Sequence, residues 1–131
     1  MIGLDTNVLV RYIMQDDPKQ APKANRLIDG LSAGNPGYVP LVAIVELVWV
    51  LSSSYGLKRD QVASALELLL RGKELVIDRA DAVLLALRRF SSGAADFADC
   101  LIESIARGAG CSATMTFDAG AVKAAGMTIV A

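Results

Sequence analysis

Apolar runs and amphipathic stretches alternate along the chain, each closed by a Gly-, Pro- or Asp-marked break. Residues 2–4 are apolar and end at Asp5, where Asp5-Thr6-Asn7 places helix-capping side chains before Val8-Leu9-Val10. This predicts a first strand and a helix to about Met14. Asp16-Asp17-Pro18 breaks that helix and opens a polar one over 18–29, stopped near Gly30. Gly34-Asn35-Pro36-Gly37 reads as a turn and Tyr38-Val39 as a very short strand. Pro40 suits the first position of a helix to about Tyr55, with Gly56 as its stop. A helix from Lys58 or Arg59 to Arg71 shows Leu66, Leu69 and Leu70 on one face and ends at Gly72. A strand over 74–77 leads to a helix that opens at Asp78 or Arg79 and ends near Ser91-Ser92-Gly93. Asp96 caps the next helix, which runs to Arg107 and breaks at Gly108-Ala109-Gly110. A strand over 113–117 ending at Asp118, a short helix over 120–125 and a last strand over 127–130 complete the pattern. Alternation of this kind predicts an α/β fold with a central, mostly parallel sheet covered by helices on both faces.

Size and composition narrow the picture. A length of 131 residues suits a single domain over 1–131, large enough to bury a core without disulfide or metal staples. The hydrophobic fraction is 53%, and the mean hydropathy of +0.43 is high. Even so, no apolar run reaches the roughly 18 residues of a membrane span. The longest, over 39–51, contains Pro40 and Glu46. So apolar a chain predicts a helix-covered sheet and a surface covered by a partner. The N-terminus enters structure directly, with no basic segment followed by an apolar one and a cleavage site, which predicts a cytoplasmic protein with no membrane association. Cys100 and Cys111 lack zinc spacing and read as two buried thiols in a reducing compartment.

The chain has no His. Ser-His-Asp and Cys-His catalysis are therefore excluded, and so are the usual zinc ligand sets. Hydrolytic chemistry must rest on carboxylates, hydroxyls, Lys or Arg, or a hard metal ion. The net charge of −1 gives no global field for nucleic acid, so RNA binding requires a local cationic patch or a metal bridge to phosphate.

The acids are the candidate chemistry. Sites in parallel α/β sheets form at the carboxyl ends of strands, where Asp5 and Asp118 stand. Each also reads as a plain helix N-cap. Glu46 is the sharper signal. A helix can turn one face to water, but Leu41 to Leu51 is apolar around Glu46 on every face, so a solvated stripe fits poorly and the carboxylate calls for a metal, an Arg partner or a dimer contact. Asp96 and Asp99 share one helix start, with Asp96 as the cap and Asp99 at the third helical position, and Glu103 continues the stack one turn on. Acids gathered without His or Cys ligands suit Mg²⁺ or Mn²⁺. Such an ion can activate a water and offset charge on a phosphodiester in hydrolysis.

Met1-Ile2-Gly3-Leu4-Asp5-Thr6-Asn7, Ile44-Val45-Glu46-Leu47, Ala95-Asp96-Phe97-Ala98-Asp99-Cys100-Leu101-Ile102 and Thr114-Met115-Thr116-Phe117-Asp118 resemble, in that order and across the whole chain, PIN-domain proteins, and more narrowly VapC-type toxins. The resemblance implies a three-layer α/β/α domain and a metal-dependent endoribonuclease. It implies that Asp5, Glu46, Asp99 and Asp118 are catalytic and hold one or two Mg²⁺ or Mn²⁺ ions. Thr6, Asn7 and Thr116 would stand beside them, with Asp96 either a cap or an auxiliary acid. It also implies a structured RNA substrate such as tRNA or rRNA, a homodimer, and a small antitoxin covering the site. A basic antitoxin residue entering the acidic pocket follows from charge complementarity. Trp49, Leu51 and Tyr55 are candidates for an interface or for the core, and Arg11, Lys58, Arg79 and Arg88 for RNA contacts. The alternatives are an inactive PIN-like module that binds a partner or RNA, and a small-molecule phosphatase. The phosphatase class needs a second Asp two residues after the first, where this chain has Asn7.

Overall fold

The computed structural model describes residues 1–131 as two compact units, 1–78 and 79–131. It is a mixed helix and strand structure in which every strand pair is parallel.

The first unit contains β1 (Ile2–Gly3), α1 (Thr6–Met14), α2 (Gln20–Asp29), β2 (Gly37–Val39), α3 (Leu41–Trp49), α4 (Arg59–Arg71) and β3 (Leu75–Ile77). Its sheet has the order β1-β2-β3, with Ile2 opposite Gly37 and Val39 opposite Ile77. Two further backbone bonds extend the ladder past the strands: Leu4 N–H to Tyr38 O at 2.8 Å and Asp78 N–H to Val39 O at 2.9 Å. Asp5 and Asp78 therefore both stand at the carboxyl edge, on either side of the central strand. Of the two expected openings of the next helix, Arg79 is the one the structure uses, as its N-cap, and Asp78 is not. Asp78 Oδ2 accepts from Leu41 N–H at 3.3 Å and so serves the start of α3, where Pro40 has no side-chain oxygen to offer. The following Arg79 takes the left-handed conformation, φ 54°.

Asp5 caps α1 and Gln15 ends it in the left-handed region, so the sequence boundaries hold there. α2 begins at Gln20, two residues later than Pro18, because Asp17 accepts from the N–H groups of both Lys19 and Gln20. Pro40 is the residue before α3 and not its first. The helix expected to reach Tyr55 stays α-helical only to Trp49 and then widens into a π-helical turn over Val50–Ser54, closed by Tyr55 N–H to Val50 O. Leu9, Val39, Ile44, Leu47, Leu51, Val62, Leu66 and Leu69 are almost wholly buried. Leu51 is thus core and no interface residue. Tyr55 is half-buried in bonds to Arg11 and Asp16, and Trp49 is exposed.

Gly37 has no room for a side chain. A Cβ there would lie 2.8 Å from Leu31 Cδ1 and 2.9 Å from Leu4 Cδ1. Gly37→Ala is expected to destabilise the protein by about 1–3 kcal/mol, read as a lower urea midpoint with an unchanged slope.

The second unit contains α5 (Ala80–Ser92), α6 (Phe97–Gly108), β4 (Met115–Thr116), α7 (Ala119–Ala125) and β5 (Thr128–Ile129). β4 and β5 pair in parallel, shorter than the apolar runs that predict them. Phe90 of α5 and Phe97 of α6 meet edge to face, with ring centroids 5.8 Å apart. Phe97 is the first residue of α6 and buried, which fixes the start of that helix beside Asp96. Cys100 is buried, as expected; Cys111 is exposed, against expectation. No helix is long and apolar enough to cross a membrane.

Candidate functional site

In the first unit the site begins where β1 hands over to α1. Asp5 is exposed, and its Oδ1 accepts from Thr6 N–H at 2.8 Å. Thr6 is buried, and its hydroxyl donates to Glu46 Oε1 at 2.8 Å across a separation of 40 residues. One threonine thus ties the strand-end aspartate to the helical glutamate. Asn7 is exposed at the next position of α1.

Glu46 occupies a different environment from the one its neighbours suggest. α3 buries Ala43, Ile44, Leu47 and Val48 and turns Val42, Glu46 and Trp49 outward, at the spacing of one helical face. Val42 is 67% and Trp49 65% exposed. The carboxylate is therefore hydrated, and the apolar residues beside it, not the acid, are the ones out of place.

In the second unit three aspartates line one cavity of about 160 Å³, floored by alanines and Gly120. Asp96 is the N-cap of α6, accepting from Asp99 N–H at 3.1 Å. Asp118 is the N-cap of α7, accepting from Gly120 N–H at 2.8 Å, and Thr116 Oγ1 accepts from Asp118 N–H at 3.0 Å. Capping occupies Oδ1 of each of these aspartates, while a carboxylate offers about four lone-pair sites. The approach to α7 is tight, since a Cβ on Gly120 would lie 3.1 Å from Asp118 Oδ1. Asp99 is half-buried, and its pKa is raised above the ordinary carboxylate value, first by burial and then by the charges of Asp96 and Asp118.

Glu103 does not extend this cluster. Arg89 Nη1 and Arg107 Nη2 bind its Oε2 at 3.1 and 2.8 Å, which compensates its charge. Arg89 also donates to the Ala125 carbonyl at the end of α7, so one guanidinium joins α5, α6 and α7. Asp5, Glu46, Asp96, Asp99 and Asp118, by contrast, take part in none of the four ion pairs of the chain.

The donors in both units are oxygens, the set preferred by Mg²⁺ and Mn²⁺. In neither unit do three or more acidic or thiol side chains come close enough to form a closed cage. Magnesium does not need one, because it keeps several waters and takes one or two carboxylates. The residues fit a hard divalent cation in donor chemistry and in uncompensated charge.

The family model described as PIN domain matches residues 2–127 and so includes every candidate acid. No curated protein matches the chain.

Proposed function

The chain belongs to the PIN-domain family, whose members are typically nucleases that use divalent metal ions, and from that premise we propose that it is an Mg²⁺- or Mn²⁺-dependent endoribonuclease. In this reading it is a VapC-type toxin of the cytoplasm, formed by a single PIN domain and acting on tRNA or rRNA. It works as a homodimer and is neutralised by a cognate antitoxin.

Asp5 and Glu46 of the first unit and Asp99 and Asp118 of the second offer carboxylate oxygens to the one or two metal ions of this proposal. The observation that carries it is Asp99, half-buried in the field of two further carboxylates with no cationic side chain paired to any of the three. Crowding of like charge costs free energy in the metal-free protein, and a divalent cation removes that cost. The bound ion would supply a nucleophilic water at neutral pH and neutralise charge on the phosphate. Thr6 holds the Glu46 carboxylate with its own hydroxyl. Asp96 keeps the start of α6 in register so that Asp99 faces the cavity, and Thr116 does the same for Asp118. Asn7 helps orient the acids in this reading.

The test is cleavage of a structured RNA by the purified chain with Mn²⁺ or Mg²⁺. Activity should vanish in EDTA and in Asp5→Ala and Glu46→Ala proteins that keep the wild-type circular dichroism. Cleavage that persists in EDTA overturns the metal mechanism. Hydrolysis of small phosphomonoesters without RNA cutting would favour a phosphatase.

A further inference from the structure

α2 carries Lys19 just before its first residue, Lys23 and Arg26 within it, and no acid between Asp17 and Asp29. Spacings of four and three place these cations on one face of the helix. All three are exposed, and none makes a salt bridge. Lys19 sits at the amino end, where the Asp17 carboxylate accepts from the N–H groups of Lys19 and Gln20, and Lys23 and Arg26 follow with no further acid before Asp29. Four arginines elsewhere are engaged: Arg71 with Glu67, Arg89 and Arg107 with Glu103, and Arg11 with Asp16. Lys58, Lys73, Arg79, Arg88 and Lys123 make no salt bridge either, so what distinguishes the α2 cations is their spacing on one helical face.

Beside this stripe lies a groove of about 260 Å³ between α1 and α2. Val8, Ala24 and Leu27 form its apolar floor, and Asn7, Arg11 and Lys23 stand at its polar rim. Arg11 is held there by Gln20 Oε1 at 2.7 Å and by the Tyr55 hydroxyl at 3.1 Å. Asn7, at the rim of the groove, is the residue of α1 that follows Thr6.

We infer that the Lys19–Lys23–Arg26 face and the adjoining groove form a subsite for a single-stranded stretch of RNA. The phosphates follow the cations, and one unstacked base enters the apolar groove beside Asn7. The inference rests on the ribonuclease reading above and supplies the local positive field that a chain of net charge −1 lacks overall. Duplex RNA would bring phosphates but no free base for the groove, whereas splayed single strands offer both. The contacts assigned to Arg79 and Arg88 from the sequence are not part of this subsite. The spacing of the α2 cations is itself the signal, visible once 20–29 is known to be one helix.

Binding of a fluorescein-labelled, unstructured single-stranded RNA is measured by anisotropy in EDTA, where cleavage is blocked, across a series of KCl concentrations. The triple variant Lys19→Gln, Lys23→Gln, Arg26→Gln should bind at least about 10-fold more weakly and lower the slope of log K against log salt by about 2, as for three lost phosphate contacts on a single strand. Leu27→Trp, which fills the groove, should weaken binding without changing the slope. All variants should keep the wild-type melting profile. An unchanged slope in the triple variant overturns the inference, as does a slope lowered instead by Arg79→Gln, Arg88→Gln. Loss of binding to an antitoxin with RNA binding intact would assign the face to a protein partner and overturn it too. If the wild type cuts RNA while the triple variant binds like wild type, this inference alone fails. A wild type that neither binds nor cuts RNA removes the ribonuclease reading beneath it.

Discussion

Asp99→Asn is expected to lower metal-dependent RNA cleavage by at least about 10³-fold while leaving the fold intact, since a metal-held nucleophile contributes several kcal/mol to transition-state stabilisation. The substitution keeps the volume of the side chain and removes only its charge. α6 keeps its start, because the Asp96 side chain accepts from the backbone N–H of residue 99, which Asn retains. Loss of cleavage with unchanged circular dichroism and a lowered Mn²⁺ affinity would place Asp99 among the ligands. Full activity, or equal Mn²⁺ affinity in the two proteins, would remove it. Asp96→Asn tests the other role on the same turn. An Asn is nearly as good an N-cap as Asp, so a pure cap predicts activity within a few-fold of wild type.

Helix starts were the most legible part of this fold. Asp5, Asp96 and Asp118 each cap the helix that follows, because an aspartate before an apolar-periodic stretch satisfies backbone N–H groups by local chemistry alone. Asp78 has the same local signature, yet it bonds to Leu41 N–H, 37 residues away. That choice depends on the β2–β3 register, which no local pattern encodes. The π-helical turn after Trp49 is hidden for a related reason: a run of apolar residues and serines looks the same whichever hydrogen bond closes it.

The candidate site was legible as a set of acids but not as a set of environments. Glu46 stands out because all its neighbours are apolar, a pattern that predicts burial; exposure of Val42 and Trp49 turns that inference around. Glu103 falls on the helical face of Asp99, so spacing alone adds it to the cluster. Arg89 comes from another helix and neutralises it. Helical spacing reports what shares a face and says nothing about what faces it. The bond from Thr6 to Glu46 spans 40 residues and has no local signal beyond the family's motif.

The raised pKa of Asp99 gives the site a distinctive dependence on pH. Folded Asp99 holds its proton more tightly than unfolded Asp99, through burial and the charges of Asp96 and Asp118. In the metal-free protein this group therefore makes stability fall as the pH rises from the ordinary carboxylate value through the raised one, and the loss is complete above it. A divalent cation binds the ionised carboxylates, so saturating Mg²⁺ should cancel that decline and make stability rise with pH over the same range. At neutral pH, Mg²⁺ at about 100-fold over its Kd should stabilise the wild type by about 2.7 kcal/mol, raising Tm by several degrees. Asp99→Asn should lose both the decline in the metal-free protein and most of the Mg²⁺-dependent rise. Thermal melts at several pH values, with EDTA and with Mg²⁺, read both effects in one series. Identical melting curves with and without Mg²⁺ across the whole range would mean that these carboxylates tolerate one another without a cation.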